Sequence, residues 1–125
     1  MTTSNEPLPT GLAVRRFKDP AYVELAPNLQ TLRDQIDDFD HQIVALLAAR
    51  ALRVRDATRF KKDAYQVSAP ARQAEVFKKV RNLASAHADN FPGFEDIVES
   101  AYRSLVAGFI AAEQSLFSQT EEVTS

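Results

Sequence analysis

The sequence predicts an all-α chain of three helices, the first very long, that pairs with a second copy of itself. Three observations carry this. From Leu29 to Lys62 there is no Gly and no Pro, and apolar residues recur largely in steps of three and four: Leu29, Leu32, Ile36, Phe39, Ile43, Leu46, Ala51, Val54, Ala57, Phe60. Two further helical stretches follow, and no strand or internal repeat is visible. At about 1.5 Å per residue, 29–62 makes a rod roughly 50 Å long, whereas a compact chain of this size is only about 35 Å across. The apolar stripe of such a rod must be buried on something, and a second copy is the simplest partner.

The composition sets bounds. The chain has 125 residues, 45% of them apolar and 26% charged, which suits one folded domain. A net charge of −2 argues against wholesale nucleic-acid binding. With no cysteine there is no disulfide framework and no thiolate metal site. No apolar run reaches the roughly 18 residues of a transmembrane helix, and the N-terminus lacks the apolar core of a signal peptide. The expectation is a cytoplasmic protein, without cofactor or metal, bound to neither nucleic acid nor membrane.

Residues 1–27 hold four of the six prolines and no clean period, so they read as an irregular arm whose later part docks on the body. The helical domain is expected over 28–119, followed by a polar tail at 120–125. Asn28 or Thr31 caps the first helix. Asp34, Asp37, Asp38 and Asp40 crowd its start; Arg50, Arg53, Arg55, Arg59, Lys61 and Lys62 crowd its end. This polarity complements the helix dipole, and that role is assigned to Arg53, Arg55, Arg59 and Lys62. An alternative makes the basic end a nucleic-acid or membrane face.

The period breaks at Ala64–Ala69. Ser68 followed by Pro70 reads as the start of a second helix, about Pro70 to His87, with Val76, Val80 and Leu83 inward. Asp89–Gly93 is a turn. The third helix, about Phe94 to Gln119, has an inward set of Phe94, Val98, Ala101, Tyr102, Leu105, Phe109, Ala112, Leu116 and Phe117.

Catalytic motifs are scarce. There is no Gly-rich phosphate loop, no HExxH, no GxSxG and no nucleophile beside a base; His41 and His87 read as surface residues. Any chemistry must work by positioning and electrostatics. The informative residues are charges on apolar faces. Arg50 and Lys61 are eleven residues apart, about 1100° of helix, so they face the same way and can converge on a small dianion. Arg33, roughly 25 Å before Arg50, reaches that anion only from an antiparallel partner rod. Glu113 lies in the inward arc of the third helix and needs a partner there. That partner is either one of these cations, in a plain salt bridge, or a ligand in a cation-lined pocket. Arg72 and Gln73 border the same pocket or sit on the surface.

These residues carry a family resemblance. Leu32-Arg33-Asp34-Gln35-Ile36-Asp37, then Arg50 and Lys61 at these spacings, resembles the all-helical, type II chorismate mutases. The string Arg59-Phe60-Lys61, with Ala69-Pro70-Ala71-Arg72, is similar to the isochorismate pyruvate lyase branch. The resemblance covers about Leu29 to Phe117. It implies an intertwined homodimer with two equivalent sites and Arg33 shared across chains. Arg33 and Arg50 would pair with the two carboxylates of the substrate, and Lys61 with its ether oxygen and a carboxylate. Arg72 matches a further arginine at the site. Gln73 and Ala69 stand where many mutases carry acids. The family places a glutamine facing the ether oxygen; Glu113 or Gln114 must fill that role, and the spacing from Tyr102 to Leu116 and Phe117 selects Glu113. The implied function is chorismate mutase, with isochorismate pyruvate lyase as the alternative and 4-amino-4-deoxychorismate mutase as a third. A helical dimerisation module, using the same charges as seam salt bridges, is the non-enzyme reading.

Overall fold

A computed structural model describes residues 5–123, all helix and connecting chain. Four helices are present: α1 Leu29–Ala57, α2 Ala64–Ser68, α3 Pro70–Ser85 and α4 Phe94–Phe117. Contacts divide the chain between Ala48 and Ala49 into two units, and α1 runs through the division.

In the first unit the arm is irregular. Its rings Phe17 and Tyr22 meet at 4.5 Å, and Pro9 O accepts from Gln30 N at 2.9 Å, joining an early part of the arm to the first turn of α1. Asn28 is the cap: its Oδ1 accepts from Thr31 N at 2.9 Å, satisfying one of the orphan amides of the helix start. No residue of α1 is buried; Phe39 is 61% and Leu46 71% exposed.

In the second unit α1 stops short of the expected Lys62. Thr58 is buried and its hydroxyl bonds back to Val54 O at 3.2 Å, the chain tightens into a 3-10 turn over Thr58–Phe60, and Lys61 is extended. Lys61 therefore takes its direction from a helix end and not from helical register.

The break expected at 64–69 is itself a helix. Asp63 caps α2 through Gln66 N at 2.9 Å, and Gln66 Oε1 answers by accepting from Lys62 N at 2.8 Å. This reciprocal pair is close to a capping box. Ser68 is the last residue of α2 and not the cap of α3. Ala69 occupies that cap position with a left-handed backbone, φ 43°, and Pro70 opens α3. After α3, the turn closes on Gly93, whose φ of 81° favours glycine.

α4 packs on α3 and α2. Arg81 meets Asp96 at 2.8 Å and Glu99 at 3.5 Å, and Arg103 meets Glu99 at 3.0 Å while lying 4.4 Å over the Phe77 ring. The hydrogen bond to Asp96 raises the Arg81 pKa, but both groups are exposed and the pair adds little to stability. The inward arc differs from expectation. Val106 and Glu113 are buried and Ile110 is half-buried, while Ala101, Ala112 and Leu83 are exposed. Ala101, Leu105, Gly108 and Ala112 line an open groove of about 640 Å³. The apolar arc of α4 is wider than the face that its own chain covers. Among the described residues, Val67, Val80, Ala84 and Val106 are the buried apolar side chains. That is a small core for a chain of this length.

Candidate active site

The cations at the end of α1 and the carboxylate of α4 meet at one cleft in the second unit. It has a volume of about 290 Å³ and is lined by Arg50, Arg53, Lys61, Ser68, Ala69, Arg72, Gln73 and Glu113 over an apolar floor of Val54, Val67, Val76, Val106, Phe109 and Ile110. Helix α1 supplies the arginines three residues apart, so they are neighbours on its surface. The extended step after the 3-10 turn brings in Lys61. The left-handed corner at Ala69 turns the chain so that α2 and the first turn of α3 form one wall.

Glu113 is 5% exposed. Its Oε2 lies 3.5 Å from Lys61 Nζ, an ion-pair distance, yet it has no hydrogen bond to any described residue. At an effective dielectric of 20 this attraction is about 5 kcal/mol, and withdrawing the two groups from water costs several kcal/mol per ion, so the pair is not a stability device. A buried oxygen without a hydrogen-bond partner calls for an explanation, and a ligand in the cleft would supply one. Arg50 is half-buried with its guanidinium 5.0 Å over the Phe109 ring. No carboxylate among the described residues pairs with it. Two arginines and a lysine thus face one carboxylate, an excess of positive charge that suits an acidic small molecule.

The other candidates divide. Arg72 lines the cleft but its guanidinium is engaged by Glu75 on the exposed side of α3. Gln73 lines the cleft and donates to Ser68 O at 2.6 Å. Gln114 does not line it; it donates to Ala64 O at 3.0 Å and Ser68 Oγ at 3.2 Å. Arg33 is exposed on the first-unit part of α1 and is not a lining residue. Arg53, assigned from sequence to the helix dipole, stands at the rim with one N–H on Ala49 O at 3.2 Å. Its place three residues after Arg50 was the available signal. His41 and His87 are exposed, and no group of His, Cys, Asp or Glu among the described residues is arranged to hold a metal ion.

The family model for chorismate mutase type II matches residues 32–114, two-thirds of the chain, including every lining residue of the cleft. The chain belongs to this family. A search of curated proteins finds no match. At the level of the family this is a chorismate-mutase-type enzyme with a chorismate-type substrate. Among the described residues no helix is long and apolar enough to cross a membrane.

Proposed function

We propose that the protein is a chorismate mutase, rearranging chorismate to prephenate in this cleft. The observation that carries the proposal is the cleft itself: Arg50, Lys61 and Glu113 line about 290 Å³ of space that the Lys61–Glu113 ion pair does not fill, and Arg50 stands outside that pair. Arg50 would hold a substrate carboxylate. Lys61 would hydrogen bond the ether oxygen as charge builds there, and Glu113, when protonated, would donate to the same oxygen. Ala69, Gln73 and Arg72 border the ring. The walls hold the compact conformer, so the enzyme needs no nucleophile.

A second reading, isochorismate pyruvate lyase, draws on one feature: the corner at Ala69 and Gln73 presents no carboxylate for a ring hydroxyl. Product identification separates the two. The mutase makes prephenate from chorismate; the lyase makes salicylate and pyruvate from isochorismate. Absence of either product would leave the dimerisation module.

The proposal includes a homodimer in which Arg33 of a partner subunit completes each site. The apolar stripe of α1, exposed at Ile36, Phe39, Ile43 and Leu46, the open groove of α4 and the small core all leave apolar surface without cover. Burying a side chain such as Phe39 or Leu46 is worth about 1.5–3 kcal/mol each, so a stripe of them decides whether the chain folds. Sedimentation over a wide dilution range is expected to show a dimer that unfolds as it dissociates; a folded, active monomer would overturn the shared site.

A further inference from the structure

Helix α2 forms a wall of the cleft, yet it has five residues, too few to hold a helix by propensity. Its position must come from outside. Val67, 1% exposed, is its one buried side chain. Two glutamine amides do the rest. Gln114, reaching from α4, donates through Nε2 to Ala64 O at 3.0 Å and to Ser68 Oγ at 3.2 Å, the first and last residues of α2. A single amide NH2 has two hydrogens, one for each. Gln73, from α3, donates to Ser68 O at 2.6 Å. Between these ties sits Ala69, at φ 43°, a backbone that alanine rarely adopts and that persists only when its surroundings enforce it.

We propose that Gln114 is a positioning residue: by bridging the two ends of α2 it fixes the Ser68–Ala69 corner against α4, and with it the width of the cleft. This rests on the cleft being the active site. Neighbours on α4 then have separate tasks, Glu113 facing Lys61 inside the cleft and Gln114 holding the wall behind it. The side chain of Gln114 need not touch the reacting atoms.

The test uses the whole 125-residue chain without ligand, as wild type, Gln114→Glu and Ser68→Ala. Gln114→Glu keeps the shape but removes the donor: its carboxylate faces the Ala64 carbonyl oxygen, which only accepts, and keeps at most the bond that the Ser68 hydroxyl can donate to it. Ser68→Ala removes one acceptor and leaves every cleft charge in place. Amide hydrogen exchange is read by peptide, and kcat and KM are measured with chorismate and isochorismate. In Gln114→Glu the amides of 63–69 are expected to exchange about tenfold faster, with α3 and α4 unchanged, and kcat/KM to fall about tenfold. Ser68→Ala should move both readouts the same way by less. Wild-type protection of 63–69 would overturn the proposal, as would faster exchange spread over all helices, or faster exchange with unaltered kinetics. A fall in kcat with unchanged exchange would overturn it too, since Gln114 would then be meeting the substrate. If wild type turns over neither compound, the functional reading fails, while exchange confined to 63–69 still supports the clamp.

Discussion

Lys61→Ala is expected to lower turnover roughly 100- to 1,000-fold, the usual loss when one donor to a developing oxyanion is removed. Lys61 ends an extended step at the cleft, and among the described residues its ammonium pairs with Glu113 Oε2 alone, 3.5 Å away and without a hydrogen bond. Its attraction to that carboxylate is offset by the burial of both, and on the proposed mechanism its main partner is the charge that forms on the ligand. Removing it also leaves Glu113 without its nearest cation, which lowers stability unless Glu113 takes a proton. The double variant Lys61→Ala/Glu113→Gln separates the two effects. It has no buried charge to compensate, and it should melt near wild type and remain inactive. Kinetics and thermal melts of both variants check this. Retained activity with a lowered melting temperature in Lys61→Ala would mean that Lys61 is structural.

Glu113→Gln is expected to raise activity near neutral pH and flatten the pH–rate profile. An ionised carboxylate accepts hydrogen bonds only, and beside an ether oxygen gaining negative charge it repels. A protonated carboxyl donates, and so does an amide. The charged groups lining the cleft with Glu113 are Lys61 after α1 and Arg50 and Arg53 on α1, while the Arg72 guanidinium at its border is held by Glu75. Wild-type kcat should rise as pH falls from 8.5 to 4.5, and Glu113→Gln should show no such rise. Coincident profiles would remove Glu113 from the reacting oxygen.

Much of this site is legible in the sequence because helices carry their periods openly. Arg50 and Glu113 are polar residues on apolar arcs, and burial forces such residues to meet something. What was not legible has local causes. Five residues of α2 are too few to show a period; the only sign was Asp63 and Gln66 at capping spacing. The left-handed Ala69 is set by tertiary ties and has no signature of its own. Arg53 looked like a dipole residue because one spacing, three from Arg50, serves both a helix end and a cleft rim. The inward arc of α4 was drawn too wide because Ala101 and Ala112 are as apolar as core residues, while nothing in their own chain covers them.

The most direct test of the shared cleft mixes two inactive proteins. On the proposed shared site, Arg33→Ala and Lys61→Ala homodimers each lack an essential cation at both sites. After subunit exchange, half of the dimers are mixed, and each has one site with both cations and one with neither. The account predicts recovery of about a quarter of wild-type activity, as expected for two equivalent sites of a symmetric dimer. No recovery, with exchange verified by mass, would contradict it.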